Sequence, residues 1–574
     1  MTAYRQRNST CRTRDTAGQG NTGKGLLEKL APVVLVLAGV TAYSNSFDKA
    51  FVYDDLEAIV YNRHVEKLCP VRQAMTAPPD TTPSGRPLVA LSLAVNYAVS
   101  GREVWSYHVF NMLVHLLAGL TLFGVVRRTM LSERLRSRFG QVAAPIATAV
   151  ALLWLVHPLQ TEAVTYVIQR AESMMALLYL LTLYCAIRGH TSKRKRIWCV
   201  ASVIACAAGM ASKEVMVTAP LMVLAYDSIF QSGSLRAAIS KRRFFYLSLA
   251  GTWLLLALLA AGGGRSTSAG FAFKAVSPIS YAKTQFAVIL HYIRLTSWPR
   301  PLVLDYGWPV AQSLSDWLGY ALVVSVMLAG TLAALVRRPA AGFAALWFFA
   351  VLAPTSSFMP IADPICEHRM YLPLAGVVCG AVVCAYSLSA RLSLRPRILA
   401  SMRATVVIAV ASVLALATFS RNRDYSSELT IWKETCRNRP ANKRAWSLLG
   451  MAYGSAGKLD QALKCYDRSL EIDDRYGKAY LGRGIVLARN GLYDKAVTDL
   501  TNAVTLMPGY YLAHANLAVA HLHMGDNVRA VKGFRRALEL NPSDPWVQDS
   551  LAEARRRLER VQPQSATTRS TGSG

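Results

Sequence analysis

The sequence predicts an all-α protein in two parts, a polytopic helical membrane domain of about eleven crossings and a short helical-repeat solenoid after it. Three observations predict it. Apolar runs long enough to span a bilayer, about 20 residues of helix, recur from Leu30 to Phe419. Short basic clusters separate those runs, and from Arg421 onward the text turns polar and repetitive. With 53% hydrophobic and 17% charged residues, the chain is too apolar for an ordinary soluble enzyme.

In chain order, 1–28 reads as a cytoplasmic tail, polar and basic, leading into an uncleaved signal-anchor. The membrane domain covers 29–420, with a long outer loop at about 48–104. Crossings are expected near 29–47, 105–126, 142–160, 173–188, 197–211, 214–230, 244–262, 318–336, 341–358, 371–390 and 402–420. Leu88 to Val99 is too short to cross, and the run from Tyr281 to Trp298 is broken by Lys283, His291 and Arg294. Both read as interfacial or re-entrant elements on the outer face, with Trp298, Tyr306 and Trp308 at headgroup level.

The net charge of +30 does not signal nucleic acid. The basic residues sit in loops, at Arg127, Arg128, Arg134, Arg136 and Arg138, then at Arg188 and 193–196, 241–243, 337–338 and 391–397. Positive-inside bias accounts for them and puts the N-terminus in the cytoplasm. An odd number of crossings then puts the C-terminal domain outside. Ten cysteines show no CxxC spacing, so neither a zinc site nor a disulfide framework is suggested.

The C-terminal part, after a linker at 421–441, is specific. Segments starting at Ala445, Ala479 and Ala513 repeat at a period of 34 residues, with Ala462, Ala496 and Ala530 in one slot and Gly457, Gly491 and Gly525 in the turn. This is the tetratricopeptide signature, three units with a capping helix over 442–561, and a disordered tail at 562–574. Such a stack offers a groove for an extended peptide or partner chain and carries no evident chemistry of its own.

That topology gathers unusual residues on the outer face: Asp54 and Asp55 in the first outer loop; His157, Glu162, Arg170 and Glu172; Lys213 and Glu214; Asp305 and Tyr306; and Asp363, Glu367, His368 and Arg369. Ionisable groups near a bilayer cost up to about 2.5–3.5 kcal/mol each at the helix centre, so such a collection marks a functional site. Carboxylates with cations beside them suit lipid-linked sugar transfer, in which a base takes the proton of an acceptor hydroxyl and cations meet the departing phosphate. The bland readings are a solvated loop for Asp54 and Asp55, an internal ion pair for Glu367 with Arg369, and hairpin capping for Lys213 with Glu214.

The words "FVYDDLEAIVYNRHV", "RPLVALSLAVNYAVSG", "HPLQTEAVTYVIQRAESMMALLYLL", "SKEVMVTAPLMVLAYD" and "EHRMYLPLAG", followed by the repeats, resemble in order the transmembrane and tetratricopeptide-repeat family of O-mannosyltransferases, of the GT-C superfamily. The resemblance implies an enzyme that moves a sugar, mannose in eukaryotic members, from a polyprenyl-phosphate donor to Ser or Thr hydroxyls of a protein. It implies that Asp54 and Asp55 carry the catalytic-base role, with Asp54 favoured. It also implies donor-phosphate or sugar contacts at Arg170, Glu172, Lys213, Glu367, His368 and Arg369, although His368 interrupts the family's acidic-arginine word. The short repeat array points to a bacterial inner membrane with the repeats in the periplasm, or to the endoplasmic reticulum with lumenal repeats if the source is eukaryotic.

No cofactor and no metal is expected, and the repeats would engage the acceptor or a partner. Two alternatives stand beside this reading: transfer to a lipid or polysaccharide, and a membrane-anchored assembly scaffold. A transporter ranks third, because its charges would lie deeper.

Overall fold

The computed structural model describes residues 19–79, 81–262 and 276–561, and among them every regular element is a helix. Of the expected cytoplasmic tail, residues 1–18 lie outside the described residues, as does the whole expected tail at 562–574.

The membrane part comprises α1 (Gln19–Ala42), α2 (Pro87–Ser100), α3 (Trp105–Met130), α4 (Ala143–Leu155), α5 (Arg170–Thr191), α6 (Lys195–Met210), α7 (Ala219–Phe230), α8 (Leu235–Ala261), α9 (Pro278–Ser297), α10 (Leu318–Arg337), α11 (Pro339–Leu352), α12 (Pro373–Ser389) and α13 (Pro396–Asn422). Local chemistry sets many boundaries. A proline opens α2, α9, α11, α12 and α13, where the first-turn N–H has no partner to lose. Arginines close α3, α5 and α10, facing the negative end of the helix dipole. A helix occupies each segment read as a crossing, and 6 described helices are long and apolar enough to cross by length and composition. The protein is a multi-pass membrane protein.

Burial separates centre from periphery. α3, α4 and α5 pack together and bury Trp154, Met175, Tyr179 and Leu183 in the main core. By contrast α8, α10 and α13 expose Leu258, Leu322, Val336, Val413 and Leu416, an apolar surface suited to lipid. α9 packs Tyr281, Val288, Tyr292 and Leu295 inward. Trp298 is exposed, but Tyr306 is buried, because its hydroxyl is drawn inward to Glu367.

After α14 (Glu428–Asn438) the repeats run α15 (Lys443–Ser455), α16 (Leu459–Ile472), α17 (Gly477–Arg489), α18 (Tyr493–Leu506), α19 (Tyr511–His523) and α20 (Asn527–Leu540), with α21 (Pro545–Val561) at the end of the stack. Gly457, Gly491 and Gly525 take φ of +73°, +77° and +79°, the left-handed turn that their shared position requires. Ala462, Ala496 and Ala530 are fully buried where paired helices approach.

The two parts share a core. Val52, Ala58, Ile59 and Val65 of the loop between α1 and α2, loop 1, Tyr166, Val167 and Ile168 ahead of α5, and Trp432, Ala445, Leu449 and Tyr453 of α14 and α15 form one apolar cluster. The first repeat is thus packed onto the loop that carries the aspartate pair.

Candidate functional site

The two aspartates have different surroundings. The chain approaches them through Tyr53, held at φ +49°, a conformation that a bulky L-residue adopts only under constraint. Its N–H donates to Glu428 Oε1 at 3.2 Å, and its ring packs edge-on against Trp432 at 5.3 Å. Asp55, next but one, has no solvent exposure. Its carboxylate accepts from Val52 N–H at 3.0 Å and from Ile168 N–H at 2.7 Å, tying the loop to the segment before α5. Burial pushes the Asp55 carboxyl up to about 8 against the pull of those two N–H groups.

Asp54 is half-buried, and its N–H donates to the Tyr166 hydroxyl at 2.9 Å. Burial, reinforced by the charge of Asp363 and opposed by Arg444 and by the Tyr166 hydroxyl, pushes the Asp54 carboxyl up to about 6. Arg444 comes from the first repeat. Its Nε donates to Asp305 Oδ2 at 2.5 Å and its Nη2 to Asp363 Oδ1 at 2.6 Å. Burial works against the Asp305 carboxylate, yet the guanidinium holds it below the ordinary range. One residue before the repeat helix, Asn442 Nδ2 donates to Asp305 O at 3.1 Å.

Below this rim lies a buried polar layer. Glu162 accepts from His368 N–H at 2.7 Å and meets His368 Nδ1 at 2.9 Å. Burial raises the Glu162 carboxyl and lowers the His368 imidazole. Glu367 accepts from Val303 N–H at 2.6 Å and from the Tyr306 hydroxyl at 2.9 Å, and its other oxygen faces Arg421 Nη2 at 3.7 Å. Arg369 does not pair with Glu367. It donates to the carbonyls of Asp363 at 2.6 Å and Pro364 at 2.9 Å, and so shapes the loop that presents Asp363.

Lys213 forms a buried ion pair with Glu172, and Arg86 Nη2 meets Glu214 Oε2 at 2.9 Å. The expected Lys213–Glu214 hairpin cap is therefore replaced by two ion pairs, one inward and one outward. Lys213 and Arg86 both bear electrostatically on His368, which joins this cationic patch to the Glu162 layer. Arg170 lies apart from these cations. It is fully buried and donates to Asn96 Oδ1 at 2.5 Å and Tyr107 O at 3.1 Å, with the Phe110 ring 4.6 Å away, which locks α2 against α3 and α5.

The structure thus brings Asp54, Glu162, His368, Lys213 and Glu172 into one electrostatically linked region, with Asp55, Arg369 and Arg170 bound inside its walls. Sequence reasoning missed Arg86, Tyr166 and Arg444 as members. Arg86 and Tyr166 stand inside the quoted words "RPLVAL" and "EAVTYV", a signal that was present, whereas Arg444 has none. Among the described residues no three His, Cys, Asp or Glu side chains converge to hold a metal ion.

Fold and site together define a multi-pass membrane protein whose first tetratricopeptide repeat packs against the loop that carries Asp54 and Asp55. Residues 444–476 and 487–554 match models of the tetratricopeptide repeat. Over most of its length the chain is similar to proteins named as O-mannosyl-transferases. It is 22% identical to protein O-mannosyl-transferase TMTC3 of Homo sapiens, covering 90% of this chain and 65% of that protein. It is 24% identical to TMTC4 of Mus musculus, covering 76% and 66%. A shorter match to Tmtc1 of Drosophila melanogaster is 32% identical over 39% of this chain and 28% of that protein. The chain therefore spans just under two thirds of the length of the first two relatives. Among solved structures, the first tetratricopeptide domain of Spaghetti (RPAP3), bound to an HSP90 peptide, is 24% identical, covers 20% of this chain and 93% of that one, and has a TM-score of 0.20.

Proposed function

We propose that this protein is a GT-C-type membrane glycosyltransferase that moves a sugar, mannose, from a polyprenyl-phosphate donor to Ser or Thr hydroxyls of a protein on the outer, periplasmic or lumenal, face. Asp54 is the general base. The acceptor oxygen attacks the anomeric carbon, its proton passes to Asp54, and the bond from that carbon to the phosphate oxygen breaks to release polyprenyl phosphate. One displacement inverts the anomeric centre. Lys213 and Arg86 meet the developing phosphate charge, with His368 positioned by Glu162 between them and the base. Asp55, Arg170, Arg369 and Glu367 hold the loops in register.

The observation that carries this reading is the asymmetry between neighbouring carboxylates. Asp55 spends both oxygens on backbone N–H groups, whereas Asp54 stays half-exposed with its proton affinity raised towards neutrality, where a base works well. Similarity to proteins named as O-mannosyl-transferases supports the choice of sugar and acceptor. The repeats, packed against loop 1, serve to present the acceptor or a partner chain.

The test is transfer from polyprenyl-phosphate mannose by the purified full chain, offered in parallel a Ser/Thr-rich protein, a lipid and a polysaccharide. Labelled protein supports the proposal. Label found only in lipid or polysaccharide moves the acceptor class, and no label in any acceptor removes the proposed mannosyl transfer.

A further inference from the structure

A cavity of about 690 Å³ lies where the membrane part meets the linker to the repeats. Its wall combines Thr284 of α9, the strap from Tyr306 to Ala311, Asp316 and Tyr320 at the start of α10, and the linker from Asn438 to Asn442. Arg439 stands in this wall. Its guanidinium lies 4.8 Å from the centre of the Tyr306 ring and 6.0 Å from that of Trp308. Its Nε is buried without an acceptor, and among the described residues its side chain makes no ion pair and no hydrogen bond.

Arg444, five residues on, holds two carboxylates, and Arg369 and Arg170 are satisfied by carbonyls and an amide. The half-buried guanidinium of Arg439 keeps its Nη groups open to solvent and has no anion beside it, so an anionic ligand entering the cavity can complete it. Asp316 shares the cavity wall with Arg439 but directs its carboxylate to the N–H groups of Gln312 and Ser313 at 2.9 and 2.8 Å, capping the turn before α10. A second cation, Lys283, sits 5.4 Å over the Trp317 ring beside this cap and likewise makes no ion pair among the described residues.

The cavity also adjoins an exposed apolar helix surface. α10 is one of the helices long and apolar enough to cross, and its first turns expose Leu318, Tyr320 and Leu322. A wall of aromatic rings with an unmatched planar cation, at the edge of a lipid-facing helix, matches a phosphate attached to an apolar tail. Guanidinium binds phosphate through a two-pronged fork, and the partly exposed Trp308 and the exposed Tyr320 suit the headgroup zone.

We infer that this junction cavity binds the phosphate headgroup of a membrane lipid, with Arg439 as the anion ligand and Tyr306 and Trp308 as its backing, and so pins the linker to the bilayer surface. The inference is independent of sugar transfer and needs no turnover to test. The full chain, purified in neutral detergent, is titrated with short-chain phosphatidylglycerol while its thermal midpoint and Trp fluorescence are followed. The expected result is a saturable rise in the midpoint for wild type, and about tenfold weaker binding in Arg439→Gln, the scale of one lost charge-assisted pair. Arg439→Lys, which keeps the charge, should fall between them and guards against a folding artefact in the first variant. An equal response in Arg439→Gln overturns the inference. So does an equal rise with a phosphate-free glycolipid, or with inorganic phosphate at the same concentration.

Discussion

Arg444 Nε lies 2.5 Å from Asp305 Oδ2, so a residue of the first repeat is clamped to a loop of the membrane part. Its other nitrogen holds Asp363, whose charge acts on Asp54. The repeat stack is in this way electrically part of the site. Removing residues 442–561 as a block would also strip Ala445, Leu449 and Tyr453 from the core under loop 1, so point substitutions give the cleaner test.

Asp54→Asn should leave the fold intact and lower transfer by about 10²–10⁴, the usual contribution of a positioned base. Asp55→Asn should do the reverse at first order. It replaces one of two acceptor oxygens with an NH₂ facing a backbone N–H, at a cost of about 1–3 kcal/mol in stability. Thermal unfolding in nanodiscs, set beside transfer rates, separates the two.

The pH profile carries a sign. A base must be deprotonated, and with the Asp54 carboxyl pushed up to about 6, transfer should rise through pH 6 and level off above it. Arg444 opposes that upward push, so Arg444→Gln should move the rising limb to higher pH. A purely structural role for Arg444 would instead lower the rate equally at every pH.

Lys213→Met should destabilise the protein by about 3–5 kcal/mol, because Glu172 is left buried and unpaired. Adding Glu172→Leu should restore most of that stability. If Lys213 also meets the donor phosphate, the double variant folds but transfers poorly. Recovery of transfer along with stability would leave the pair a structural role only.

Gly307 sits at φ +51°, and a Cβ there would lie 2.7 Å from Asn442 Cγ. Gly307→Ala should therefore loosen the Asn442–Asp305 contact and the linker with it. Faster limited proteolysis between residues 438 and 444 is the expected readout.

What the sequence revealed, and what it hid, follows from range. The repeats were legible because one 34-residue unit recurs with glycine and alanine in fixed slots, and the membrane part because apolar length and basic loops are local properties. The aspartate pair stood out as two adjacent acids, but their division of labour did not. Asp55 is locked by Ile168 N–H, 113 residues away in the chain. Arg170 looked like a phosphate ligand beside Glu172, yet it faces Asn96, Tyr107 and Phe110, none of them local to it. Glu367 and Arg369 are sequence neighbours but not partners, because a 3-10 turn at Glu367–Met370 sends one side chain to Tyr306 and the other to the carbonyls of Asp363 and Pro364. Arg444 was invisible because nothing in "NKRAW" distinguishes it from a solvated residue at the start of a helix.

In the proposed reaction Asp54 takes the proton of an acceptor hydroxyl during transfer from a lipid-linked sugar. The most direct measurement is single-turnover transfer from polyprenyl-phosphate mannose to a Ser/Thr-bearing protein, comparing wild type, Asp54→Asn and Asp55→Asn at matched folded fraction. Wild type should transfer with inversion at the anomeric carbon, Asp54→Asn should collapse, and folded Asp55→Asn should keep substantial activity. Wild-type transfer that is indifferent to Asp54→Asn, or lost only in folded Asp55→Asn, would contradict it.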